Sequence, residues 1–169
     1  NPISVYGESK FQAEQMVQDL NTQWCIIRPV LVYGFSETAA RSNIFTWVYK
    51  SLKNGMQIQV VKDQIRTPTF VQDVVDLVQL IINNRLTGFF NIGGADIVSV
   101  SDFAIKVAQI GGFDEGLIEC QESKAITGGV LRPKNSCFDN DRIISELDTK
   151  PKGLDEGIRN AIAQIELNQ

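Results

Sequence analysis

With 169 residues, 43% of them apolar, the chain has the length of one domain and enough apolar content to bury a core, which argues against disorder. Its 16 basic residues stand against 20 acidic ones for a net charge of −4 and gather into no stripe, so no nucleic-acid partner is expected. The absence of histidine removes imidazole catalysis and most zinc sites. Cys25, Cys120 and Cys137 lack metal-type spacing, and no metal site is expected. They are expected to be buried free thiols in a reducing cytoplasm. No apolar run is long enough to cross a bilayer and no signal-peptide pattern is present, so no membrane partner is expected.

In chain order, Tyr6, Ala13, Met16, Val17 and Leu20 recur at helical spacing opposite Glu8, Gln12, Gln15 and Asp19, predicting an amphipathic helix over 5–20. The apolar run 24–34 suits a strand buried on both faces of a parallel sheet, its end marked by Pro29. A polar loop over 35–42 leads to Asn43, which can cap a helix to about residue 54, where Gly55 stops it. A short strand follows at 58–61, then a polar, proline-bearing segment over 63–69. The next helix, 71–84, is expected to bury Val74, Val75, Val78, Ile81 and Ile82 and to leave Asp73 and Asp76 as solvated first-turn acids.

A strand at 89–92 with its Gly93-Gly94 turn precedes a helix over 102–110 capped by Ser101. A strand at 117–120, a loop over 125–136 and helices over 139–147 and 154–167 complete the chain. Strands alternating with helices define an α/β protein.

Tyr6 and Lys10, in Tyr6-Gly7-Glu8-Ser9-Lys10, stand four apart and so share one helix face. An ammonium beside a phenol favours the phenolate, which makes such a pair a proton donor or acceptor usable near neutrality. Tyr49 and Lys53 repeat the spacing at a helix end, where packing and the helix dipole account for them. What separates the first pair is the strand that follows it, because ligands of open α/β sheets bind at the carboxyl ends of such strands.

Tyr6-Gly7-Glu8-Ser9-Lys10 followed by Ile27-Arg28-Pro29-Val30-Leu31-Val32-Tyr33-Gly34 resembles the extended short-chain dehydrogenase/reductase superfamily. Within it, Asp63-Gln64-Ile65-Arg66-Thr67-Pro68-Thr69 and Arg132-Pro133-Lys134 resemble the dTDP-4-dehydrorhamnose reductases over essentially the whole chain. The resemblance implies the C-terminal part of a Rossmann-like doubly wound parallel sheet plus a small α/β substrate-binding region. Residues 1–62 would belong to the NAD(P)-binding part and 63–169 mainly to the substrate region, with the helix near 71–84 and the strand near 89–92 returning to the Rossmann sheet.

It implies NADH or NADPH as cofactor and a nucleotide-linked 4-keto-6-deoxy sugar as substrate. Tyr6 would be the catalytic acid, and Lys10 would hold the nicotinamide ribose. Pro29 and Val30 would meet the nicotinamide, while Asn43, Arg66 and Arg132 would bind the nucleotide sugar. Where this chain has Arg66 the reductases often have glycine, so an epimerase or dehydratase of the superfamily stays open. So does a noncatalytic regulatory subunit resembling that of methionine adenosyltransferase.

The family's glycine-rich dinucleotide loop precedes the tyrosine, and neither Gly93-Gly94 nor the Gly111, Gly112 and Gly116 group supplies Gly-x-Gly-x-x-Gly. With no methionine at its start, the chain is expected to be an inactive fragment lacking the N-terminal half, associating with that half or as a homodimer.

Overall fold

Ser4 opens the first helix by accepting a hydrogen bond from the Gly7 amide at 3.1 Å, and α1 runs over Val5–Gln18. The computed structural model describes residues 2–38, 40–126 and 132–168. Although α1 has the expected apolar spacing, it buries no residue: Tyr6 and Met16 are 72% and 71% exposed.

The run after it is two strands rather than one. β1, Cys25–Pro29, is only half-buried, with Pro29 exposed. Leu31 then takes a left-handed φ of +41° and turns the chain into β2, Val32–Tyr33. Double burial of β1 fails because one strand alone flanks it among the described residues and α1 above it stays in solvent.

Asn43 caps α2, Ile44–Lys53, through a capping box with Thr46, and Gly55 at φ +68° ends it. The second tyrosine–lysine pair is structural, as expected: Tyr49 is buried and the Lys53 ammonium lies over its ring. β3 spans Ile58–Val61, and the polar segment after it forms β4, Ile65–Arg66, and β5, Thr69–Phe70.

Helix α3, Val71–Asn83, buries Asp73, Leu77 and Ile81 and leaves Val75 and Ile82 exposed, contrary to expectation. The buried row follows i, i+4, i+8, and Asp73 can join it because the half-buried Lys152 pairs with it. The Lys152 ammonium donates to Asp73 Oδ1 at 2.7 Å and the Lys152 amide to Oδ2 at 2.8 Å.

β6, Gly88–Ile92, and β7, Val98–Ser99, lead to α4, Val100–Gly111. Its cap is Ser99, not Ser101; Ser101 is buried with its hydroxyl 2.8 Å from that of Ser99. A 3-10 turn at Glu115–Leu117 precedes β8, Ile118–Gln121, and α5 spans Ser123–Ile126. Of the loop expected over 125–136, residues 127–131 lie outside the described residues, and β9 forms at Asn135–Ser136. Helices α6, Asp141–Leu147, and α7, Leu154–Leu167, complete the chain.

Three strand pairs are parallel: β1 with β6, from Cys25 beside Gly88 to Pro29 beside Ile92; β2 with β5; and β3 with β8. β4 pairs antiparallel with β7 and parallel with β9. All three cysteines are free; Cys120 on the outer strand β8 is exposed and Cys25 and Cys137 are half-buried, against the expectation of buried thiols.

Two cores result. In the larger, Tyr33 lies against Phe45, Phe70 and Phe103 beneath α2, α4 and α7, while Leu77, Ile81, Phe90, Ile92 and Ile143 form the smaller. Gly157 of α7 faces the larger one so closely that a β-carbon there would lie 2.0 Å from the Tyr33 hydroxyl. Gly157→Ala is therefore expected to lower unfolding stability by about 2 kcal/mol. Adding Tyr33→Phe, which removes that hydroxyl and keeps the ring, should restore more than half; denaturant melts of both variants check it, and equal losses would refute the contact as cause.

Candidate active site at the carboxyl end of β1

The first two turns of α1 hold Tyr6 and Lys10 on one exposed face, with the Lys10 ammonium 5.6 Å from the centroid of the Tyr6 ring. Further along the helix, Glu14 receives both prongs of the Arg28 guanidinium, the Arg28 Nε–H donating at 2.7 Å. Arg28 also lies over the Phe89 ring at 4.3 Å. This pair ties α1 to β1 just before Pro29.

The Arg28 hydrogen bond holds the Glu14 carboxyl below its ordinary range, against the opposing effect of burial. The tether is therefore present above that range and lost as pH falls through the lowered value. Amide exchange along α1 should be slow at neutral pH, speed up severalfold in strong acid, and already be fast at neutral pH in Glu14→Gln; an unchanged Glu14→Gln profile would contradict the tether.

Beyond Pro29 the chain is pinned from below. The Val30 amide donates to Ile92 O at 3.2 Å, and the Thr69 hydroxyl donates to Val30 O at 2.8 Å. The Thr69 amide donates to Leu31 O at 3.2 Å, so the strained Leu31 is fixed on both sides. Leu31 then forms one wall of a cavity of about 260 Å³. Ile44, Trp47, Val60, Val61 and Val100 supply its other apolar surface, and Gln59, Gln64, Arg66 and Arg132 its polar groups.

Arg66 is 8% exposed and its guanidinium is heavily engaged. Nη1 donates to Ile65 O at 2.7 Å and Lys134 O at 3.3 Å; Nη2 donates to Pro133 O at 2.8 Å and Gln64 Oε1 at 2.9 Å. Asp63, the carboxylate closest to it in sequence, accepts instead from the amide and hydroxyl of Ser123. Burial lowers the Arg66 pKa from its ordinary value; Cys137 opposes that shift and Arg132 adds to it. Arg132 is exposed at the rim. Among the described residues neither arginine has a carboxylate within ion-pair distance. An apolar cavity with two uncompensated guanidinium groups suits an anion joined to a flat or apolar body.

The structure thus brings Arg66 and Arg132 together at the cavity. Asn43 stands beside it, with Oδ1 accepting from the Thr46 amide at 3.1 Å and Nδ2 donating to Gly34 O at 2.7 Å, so its amide caps α2. Pro29 and Val30 lead into the cavity wall through Leu31; Tyr6 and Lys10 are outside the cavity. Trp47, Gln64 and Leu31 escaped the sequence reading. Trp47 stands three residues after Ile44 on the same helical face, a signal that was available, whereas nothing local marks a leucine for positive φ.

The Tyr6 and Lys10 side chains, both exposed and with the ammonium over the ring, could hold the nicotinamide-ribose end of NADH or NADPH; no Gly-x-Gly-x-x-Gly is present for the diphosphate end. Among the described residues no group of His, Cys, Asp and Glu can hold a metal ion, and no helix is long and apolar enough to cross a membrane.

Parallel strands linked through helices, with the end of β1 leading to a cavity, define an α/β domain of the Rossmann-like class. The solved structure of dTDP-4-dehydrorhamnose reductase from Bacillus anthracis with NADP has the same fold (TM-score 0.85, 24% identity), covering 97% of this chain and 56% of that one. Residues 1–167 match the RmlD substrate binding domain, and the chain belongs to that family.

A probable low-salt glycan biosynthesis reductase of Haloferax volcanii is 28% identical across 93% of this chain and 53% of its own length. The dTDP-4-dehydrorhamnose reductase of Aggregatibacter actinomycetemcomitans is 25% identical across 98% of this chain and 59% of its own. The chain therefore spans little more than half the length of these relatives. The resemblance read from the Tyr6 and Arg28-Pro29 motifs is borne out at the level of family and fold.

Proposed function

We propose that this chain is the C-terminal part of an NAD(P)H-dependent reductase acting on a nucleotide-linked 4-keto-6-deoxy sugar. The observation that carries this reading is the connection of Tyr6 and Lys10, through Glu14 and Arg28, to the strand that ends at the two-arginine cavity. Residues 1–62 serve the cofactor side and 63–169 mainly the substrate side. The parallel pairing of β6 with β1 supports a return of 88–92 to the cofactor sheet.

Tyr6, Lys10, Pro29 and Val30 would hold the nicotinamide end of the cofactor, which when bound would supply a hydride to the sugar C4. The Tyr6 hydroxyl gives its proton to the C4 oxygen, so the ketone becomes an alcohol as the nicotinamide is oxidised. Lys10 orients the ribose and favours the phenolate left behind. Pro29, which is exposed, presents apolar surface to the nicotinamide, while Val30 is buried and offers only its fixed backbone. The cavity takes the nucleotide, with Arg66 and Arg132 supplying positive charge against the diphosphate, Asn43 shaping the helix entrance and Trp47 offering a face to the base. A reducing, cytoplasmic setting agrees with three free thiols.

The test is turnover by a full-length protein carrying this chain. With a dTDP-4-keto-6-deoxy sugar, oxidation of NADH or NADPH is expected in step with substrate loss. Interconversion without net redox would instead mark an epimerase or dehydratase, and no turnover with stable capture of an adenosyltransferase would mark a regulatory subunit. The 169-residue chain by itself is expected to bind either dinucleotide only weakly, for want of a glycine-rich loop.

A further inference from the structure

The geometry points to a division of labour between the two arginines: Arg132 is the group that meets the ligand's diphosphate, and Arg66 is a positioning residue that holds Arg132 in place. This rests on the nucleotide-sugar reading of the cavity. Arg66 commits both terminal nitrogens inside the protein, to the carbonyls of Ile65, Pro133 and Lys134 and to the Gln64 amide. A guanidinium has five N–H groups, and four are thereby satisfied before any ligand arrives. Turning its fork toward a phosphate would give up these four bonds at once, a loss comparable to the strength of a new arginine–phosphate bond.

Two of those carbonyls, Pro133 O and Lys134 O, belong to the residues next to Arg132. The Ile65 amide adds a further bond to Lys134 O at 2.7 Å, and β9 then pairs Asn135 with Ile65 and Ser136 with Arg66. The stretch following Arg132 is thus laced to β4, with Arg66 as its side-chain fastening. The fastening is itself braced, since Gln64 Nε2 donates to the Ser123 hydroxyl at 3.1 Å and Ser123 is anchored on Asp63. Arg132, by contrast, is exposed at the cavity rim, with no carboxylate partner among the described residues. The charge free to pair with an arriving anion is that of Arg132.

Calorimetric titration of the chain with thymidine diphosphate tests this. Arg132→Ala is expected to weaken binding about tenfold or more. Arg66→Lys keeps the charge but cannot span the carbonyls, and should weaken binding by a similar factor. In the Arg132→Ala background the same Arg66→Lys change should cost less than about twofold, because its route to the ligand is already gone. Full affinity in Arg66→Lys, or losses that multiply in the double variant, would overturn the proposal and return Arg66 to direct contact.

If Arg66→Lys does not fold, as judged by its thermal melt, Gln64→Leu decides the matter. It leaves the Arg66 charge intact, and is expected to weaken binding about threefold with Arg132 present and not at all without it. Equal effects in both backgrounds would overturn the proposal. Absence of saturable binding by the unmutated chain would instead sink the nucleotide-sugar reading itself, and this assignment with it.

Discussion

Replacing Tyr6 with phenylalanine in a full-length protein is expected to lower the rate of NAD(P)H oxidation by about 10²- to 10⁴-fold while leaving stability within about 0.5 kcal/mol. Both halves of the expectation come from the surroundings of the residue. The ring is 72% exposed and packs into no core, so the fold has little to lose. Phenylalanine also keeps the aromatic face over which the Lys10 ammonium lies, at 5.6 Å from the ring centre, and removes only the hydroxyl. A fall in turnover with unchanged KM would identify a group acting in the transition state, whereas a rise in KM alone would make the hydroxyl a binding contact. Turnover equal to that of the unmutated protein would remove Tyr6 from the chemistry and the reductase assignment with it.

Gly94→Ala should act through the fold instead, lowering unfolding stability by about 3 kcal/mol or more in urea titration. A β-carbon at Gly94 would sit 1.9 Å from the Pro68 carbonyl oxygen and 2.9 Å from its carbon. Those are backbone atoms, and the backbone there cannot retreat. The Gly94 amide donates to Thr67 O at 3.1 Å, while the amide and hydroxyl of Thr69 hold Leu31 O and Val30 O. Any shift that relieved the clash would move the floor beneath the end of β1, so nucleotide binding should weaken together with stability. A loss below about 1 kcal/mol would mean that the Pro68 peptide gives way more readily than its hydrogen bonds imply.

Features decided within a few residues were legible in the sequence. Asn43 with Thr46 three positions later forms the cap expected from Asn43 alone, and the short strand at Ile58–Val61 and the last helix at Leu154–Leu167 lie where apolar spacing puts them. The motifs around Tyr6 and Arg28-Pro29 were equally legible as a family signature.

What escaped depends on partners far along the chain. Asp73 reads as a solvated helix-start acid until Lys152, 79 residues later, pairs with it. Arg66 has Asp63 close by in sequence, yet its real partners include a carbonyl 67 residues away. The buried face of α3 differs from the expected one for the same reason, since four valines, two leucines and two isoleucines leave several apolar faces open and the choice is made by what covers them. Leu31 is the hardest case, because its φ of +41° is imposed by hydrogen bonds to Val30, Leu31 and Ile92 and has no local signature.

The pairing of β1 with β6 carries a practical consequence. Each strand has only the other as a neighbour among the described residues, so the outer margins of this ribbon present rows of unshared amide and carbonyl groups. Such margins recruit further strands, and two strands rarely persist in water without more. Handled in isolation, the polypeptide therefore carries its own seed for self-association at high concentration. Co-production with a segment that zips onto β1 is the rational route to well-behaved material.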